Sequence, residues 1–111
     1  MPFSKYKNVK QTYEGFSYDS KAESNVAWEL DQRLKAHDIK SWEKQRKIEF
    51  YGANGSKICN YYIDFVIEHN DGHTEYLEVK GFKTAVWALK KKLMEDWIKG
   101  QINSEYTVRY V

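Results

Sequence analysis

Residues 60–69 read NYYIDFVIEH, a run of β-branched and aromatic side chains broken by one aspartate, Asp64. Extended back to Ile58, this is the strongest strand in the chain. Residues 70–72, NDG, follow as a hairpin turn, and TEYLEVKG, residues 74–81, is the returning strand. The pair constrains the fold more than any other feature. It requires a sheet core, and it carries Asp64, Glu78 and Lys80 into that core.

The turn sets the register. A three-residue loop of type I with a left-handed glycine places Gly72 in the left-handed position and pairs His69 with His73. Counting back, Asp64 then lies opposite Glu78, with β-carbons roughly 4.5–5.5 Å apart. If Asp71 and Gly72 alone form a two-residue turn, Asp64 faces Val79 and the acids separate. On the first register, strict alternation puts Tyr62, Asp64 and Val66 on one face with Tyr76, Glu78 and Lys80. Ile63, Phe65 and Ile67 then share the apolar face with Leu77 and Val79.

Two carboxylates at that separation repel unless a cation lies between them. Lys80 offsets part of the charge, and a divalent ion offsets more. Carboxylate oxygens are the ligands Mg²⁺ prefers. An ion held this way stabilises charge on a phosphoryl oxygen and acidifies bound water. Lys80, one strand repeat past Glu78, is placed to hold or deprotonate a water and to offset charge in a transition state.

Elsewhere the elements are readable. Residues 1–12 are polar and basic and are expected to form a flexible arm ahead of one domain spanning 13–111. Residues 13–20 suggest a short hairpin bent at Gly15. Residues 20–37 form a helix with an apolar stripe at Ala22, Val26, Ala27, Leu30 and Leu34. Asp19 or Ser20 caps it, and Ser20 with Glu23 has capping-box spacing. Residues 41–51 read as a strand anchored by Trp42, Ile48, Phe50 and Tyr51, followed by turn chemistry at 52–57. From Thr84 to Lys99 a second helix presents Val86, Trp87, Leu89, Leu93, Met94, Trp97 and Ile98, with Lys83, Lys90, Lys91 and Lys92 largely off that face. Residues 105–111 close the chain as a strand. Helix, three strands, helix, strand is an α/β order with helices packed on a central sheet.

Composition excludes several classes. At 111 residues, with 41% hydrophobic and 16% aromatic side chains, the chain is sized for one core and is not disordered. A net charge of +2 gives no global basic field, so a nucleic-acid argument rests on local patches. One cysteine, Cys59, excludes a disulfide framework and a multi-cysteine zinc site. It reads as a small buried hydrophobe. The basic opening lacks the apolar run of a signal peptide, and no segment is apolar enough to span a bilayer. A soluble intracellular protein is the expectation. The three histidines read as solvated loop and strand-end residues, and a metal role for His69 and His73 would need further partners.

Asp64, a hairpin, then Glu78-Val79-Lys80 resembles the PD-(D/E)XK signature of the restriction-endonuclease-like superfamily. YDSKAE, KQRKIEF, YYIDFV and EVKGFKT are together similar to a family of small predicted endonucleases of phages and prophages. The arrangement also resembles phage endonuclease I-type Holliday-junction resolvases, over roughly residues 13–98. The resemblance implies a mixed sheet flanked by helices and hydrolysis of DNA phosphodiester bonds with Mg²⁺ or Mn²⁺. It makes Asp64, Glu78 and the Val79 carbonyl metal ligands and Lys80 the catalytic lysine. Glu23 becomes the helix glutamate that reaches the metal, and Gln45 a glutamine near the site. It further implies branched or duplex DNA as substrate, a role in recombination, a homodimer, and the cytoplasm of a bacterial host. Ile63 stands where the signature's name has proline, which takes no part in the chemistry.

Plainer readings stand beside these. Glu23 suits a capping box, and Gln45 suits an exposed strand position. The Lys-rich helix suits a solvated face, but with Lys44, Arg46 and Lys47 it can also flank a phosphate backbone through Lys83, Lys90 and Lys91. Lys5, Lys7 and Lys10 of the arm can add to that. Two other functions compete: a nucleic-acid-binding module on the same fold without cleavage, and an interaction protein whose acid–lysine cluster is a buried ion pair.

Overall fold

A computed structural model describes residues 11–13, 16–18, 21–81 and 83–111. The expected arm lysines, Gly15, and the caps Asp19 and Ser20 lie outside these residues. The order is β1 (Gln11–Tyr13), β2 (Phe16–Tyr18), α1 (Lys21–Lys35), β3 (Ser41–Tyr51), β4 (Lys57–Glu68), β5 (Thr74–Lys80), α2 (Ala85–Ile98) and β6 (Ser104–Tyr110). The fold is mixed α/β. Strands β3-β4-β5-β6 form a sheet in that order, antiparallel except for the parallel β5–β6 pair. A parallel neighbour needs a crossover, and α2 supplies it. β1 and β2 pair as a short separate ribbon, so Gln11 and Thr12, assigned above to the arm, belong to a strand.

The β4–β5 turn has the three-residue form. Gly72 N–H donates to the His69 carbonyl at 3.0 Å, and His69 N–H to the His73 carbonyl at 2.9 Å. Gly72 sits at φ +95°. An alanine there has room, since its Cβ would come no nearer than 3.9 Å to Asn103, but it would carry the left-handed conformation unaided. Gly72→Ala is therefore expected to cost about 1 kcal/mol in urea unfolding, with an unchanged m-value.

Each face of the sheet holds one core. On one side Val26, Ala27 and Leu30 of α1 pack with Ile39 on Phe65, Ile67, Leu77 and Val79. The helix stripe and the odd positions of the hairpin meet as the periodicity requires. On the other side Met94, Leu93, Trp97 and Ile98 of α2 cover Ile48, Phe50, Tyr61, Ile63, Val66 and Tyr76. The second helix is less apolar toward the sheet than its sequence implies. Val86 and Leu89 are exposed, while Lys90 and Lys91 are half-buried. Thr84 caps this helix, its Oγ1 accepting from Trp87 N–H at 3.1 Å.

The expected alternation fails at one place. Ile63 joins the α2 core with Val66 and Tyr76, whereas Phe65 and Ile67 join the α1 core. Tyr62 is exposed rather than facing Tyr76. β4 thus exchanges its faces at Asp64. Across from it, β3 does the same. Lys44 pairs with Phe65 and Arg46 with Ile63, so Gln45 and Asp64 stand opposite each other outside the ladder pairs. Gln45 has φ +57°, a left-handed residue inside a strand. That conformation turns the strand by one position and explains why Trp42 packs on the α1 side and Ile48 on the α2 side.

Candidate active site

The β4–β5 register runs from Glu68 opposite Thr74 to Phe65 opposite Leu77, and its continuation places Asp64 opposite Glu78. There the ladder stops. Asp64 Oδ2 accepts from the Val79 N–H at 2.8 Å, so a side chain takes the place of a backbone partner where the strands part. Both acids are buried, Asp64 at 8% and Glu78 at 5% relative exposure. Tyr61 donates its hydroxyl to Glu78 Oε1.

Burial is the largest influence on Glu78 and pushes its carboxyl up to about 8. The charge of Asp64 and a hydrogen bond with it act in the same direction, while the Tyr61 hydroxyl and Lys80 pull it down. Two carboxyl groups buried this close are held in their charged forms only at a high cost unless a cation lies between them. The same burial, and the Glu78 charge, raise the Tyr61 and Tyr106 phenols. The Tyr106 hydroxyl is buried and has no hydrogen-bond partner among the described residues. This donor set fits a hard divalent cation, because a cation relieves the repulsion between two buried carboxylates.

Lys80 extends along the face of Trp87, its Nζ 5.5 Å from the ring centre. Lys83 lies over Tyr110 at 4.5 Å, and Trp87 and Tyr110 meet edge to face at 6.2 Å. Lys90 lies 5.8 Å over the ring of Tyr61, the residue that holds Glu78. Lys80 and Lys90 thus sit on aromatic supports beside the acid pair, and Lys83 shares the Trp87–Tyr110 support with Lys80. Lys91 is bound to Glu95 at 2.5 Å.

The early-strand cations do not join them as a group. The exchange of faces at Gln45 sends Lys44 with Phe65 and Arg46 with Ile63. Arg46 is held by Glu43 and by the Tyr76 hydroxyl, and Lys47 is 3.8 Å from Glu49.

Glu23 stands in the first turn of α1 and is half-buried. Asn70 donates to the His37 carbonyl at 2.9 Å and ties the far end of α1 to the hairpin turn. The helix residues that follow Glu23 on the buried face, Val26 and Ala27, belong to the core that includes Val79. Gln45 is exposed and lies across from Asp64.

Tyr61 and Tyr106 were not evident as site residues in the sequence. Tyr61 is three residues before Asp64, and simple alternation puts it on the opposite face. Only the face exchange brings it to Glu78.

Fold and site define an α/β protein with a buried acid pair and a lysine at the point where two strands diverge. Residues 3–110 match the family described as "Protein of unknown function (DUF1064)", and the chain belongs to that family. No curated protein and no solved structure matches it. Among the described residues no helix is long and apolar enough to cross a membrane.

Proposed function

We propose that this protein is a metal-dependent endonuclease of the restriction-endonuclease-like type, cutting DNA phosphodiester bonds with Mg²⁺ or Mn²⁺. The observation that carries the reading is the buried Asp64–Glu78 pair beside Lys80, in which burial and the charge of Asp64 push the Glu78 carboxyl up. An acid pair kept at that cost serves a cation better than it serves stability. Asp64, Glu78 and the Val79 carbonyl would hold the ion, with Glu23 reaching it from α1 and Gln45 facing it from β3. The ion supplies charge neutralisation at the phosphate and acidifies water.

The chain's own groups do the rest. Asp64 is fixed by the Val79 N–H and Glu78 by Tyr61, so neither carboxylate must reorganise when phosphate arrives. Lys80 offsets charge on the pentavalent phosphate and positions the attacking water. Its aliphatic stem rests on Trp87, which limits its freedom. Lys83 and Lys90 receive the flanking phosphates. The resolvase resemblance makes branched DNA the favoured substrate and a homodimer the favoured assembly.

The test is cleavage of labelled four-way junction and matched linear duplex in Mg²⁺, Mn²⁺ or EDTA, with Lys80→Ala in parallel. Metal-dependent cutting that falls about 10²–10⁴-fold in the variant is expected. Salt-sensitive binding without any cutting would favour the binding module instead. Cutting that survives Lys80→Ala would remove Lys80 from the mechanism.

A further inference from the structure

A second cluster of ligating side chains lies at the other end of the hairpin, five residues along β4 from Asp64, or about 17 Å at strand rise. We propose that His69, His73 and Glu105 bind a divalent transition-metal ion of the zinc class. The proposal stands independently of the nuclease reading.

The turn builds the first half of the site. Its three-residue loop makes His69 and His73 a cross-strand pair, and their rings stack with centres 4.1 Å apart and planes 6° from parallel. Glu105 comes from β6, beside Glu75 in the parallel ladder. One ligand atom from each of His69, His73 and Glu105 lies within 4.8 Å of the others.

The surroundings orient these atoms as metal sites do. Asp71 Oδ1 lies 2.6 Å from His73 Nδ1 and also accepts the His73 backbone N–H at 2.9 Å. In the neutral ring, giving Nδ1–H to Asp71 leaves the lone pair on Nε2 of His73. It points at Glu105 Oε2, 2.6 Å away. A lone pair and a carboxylate oxygen at that distance require a cation or a proton between them. A carboxylate behind the imidazole is the usual outer partner of a ligating histidine. On the other ring, Glu75 Oε1 is 2.8 Å from His69 Nε2, and its second oxygen accepts from Thr107 Oγ1 at 2.6 Å. Glu75 is therefore fixed beside the site as a fourth candidate oxygen.

An open surface depression of about 420 Å³, bordered by Asp71, His73, Gln101, Asn103, Ser104 and Glu105, lies against the cluster. It gives an ion a path and leaves room for water. Zinc ligands sit about 2.0–2.2 Å from the metal, so a bound ion would draw these ligand atoms somewhat closer together than they lie here. Two imidazoles with carboxylates select zinc, cobalt or nickel over Mg²⁺. Bound there, an ion would fasten the β4–β5 turn to the start of β6.

The experiment uses the full, tag-free chain after EDTA treatment and dialysis. In the Glu78→Gln variant, which lacks a carboxylate proposed to hold Mg²⁺, Zn²⁺ is expected to raise the Tm by several degrees, with Mg²⁺ at the same concentration failing to do so. Co²⁺ should give the visible absorption of a four- or five-coordinate site. In the same Glu78→Gln background, His73→Ala and, separately, Glu105→Gln should weaken Zn²⁺ binding at least tenfold in calorimetry. Either side chain is accessible enough for its variant to fold, and far-ultraviolet circular dichroism checks this. No Zn²⁺ shift in the wild type would overturn the proposal. So would a shift that is absent from Glu78→Gln, or one that persists when His73→Ala is added to Glu78→Gln.

Discussion

Glu78→Gln is expected to abolish cleavage and, in EDTA at pH 8, to make the protein more stable. In the native state burial and Asp64 hold the Glu78 carboxyl near 8, against an ordinary value of 4.5. Between those values the folded protein keeps a proton that the unfolded chain has released. Unfolding then becomes easier as pH rises, by about 1.4 kcal/mol per unit. The stability Glu78 contributes is present below pH 4.5 and lost as pH climbs through 8. Glutamine has the same shape, accepts from Tyr61, donates to Asp64 and carries no charge. Its metal-free form should lose this pH slope and gain on the order of 3 kcal/mol at pH 8, or roughly 10 °C in Tm. Cleavage should fall at least about 10³-fold, because a ligand is gone. Mg²⁺ should raise the wild-type Tm at pH 8 and leave the variant's unchanged. A variant less stable than wild type at pH 8, with the same slope from pH 5, would mean that Glu78 is not the strained member of the pair.

The wild-type sequence keeps this liability, which is what separates the site from ordinary core. Its position was legible because turn chemistry is local. NDG specifies where a left-handed glycine goes, and that one position fixes every pairing back to Asp64 opposite Glu78. The α1 stripe was legible for a similar reason, since 3.6-residue periodicity needs no knowledge of partners. The exchange of faces was not. Glutamine gives no signal for positive φ, so nothing in KQRK announces that Gln45 turns β3 over. Because Asp64 is its opposite number, the error propagated to Tyr61, Tyr62 and Ile63. The histidine cluster was hidden differently. Its third ligand, Glu105, lies 32 residues beyond His73 and reaches it only because β6 runs parallel to β5. Site roles for Glu23 and Gln45 came from resemblance, that of Lys80 from its place one strand repeat past Glu78 as well, and geometry adds supports and neighbours to them.

Phe65→Ala is expected to be the most destabilising single change in the sheet, and comparison with its neighbours tests the exchange of faces. Phe65 is 1% exposed, packs with the α1 core, and meets Trp42 with ring centres 5.8 Å apart. Removing it opens a cavity that the two helix-covered faces cannot close, at about 3–5 kcal/mol. Since a domain of this size holds about 5–15 kcal/mol in all, the variant should be near its unfolding threshold at 37 °C. Ile63, fully buried against the other helix, should cost about 2–5 kcal/mol as alanine. Tyr62 separates these behaviours. Unbroken alternation would put it in the same layer as Val66, and its loss would then cost as much as a core aromatic. With the face exchange its ring is 52% exposed, and Tyr62→Ala should stay within about 1 kcal/mol of wild type in urea unfolding. A Tyr62→Ala cost equal to that of Ile63→Ala would restore strict alternation through Asp64. It would also move Tyr61 away from Glu78, and with it the hydroxyl that holds the carboxylate in place.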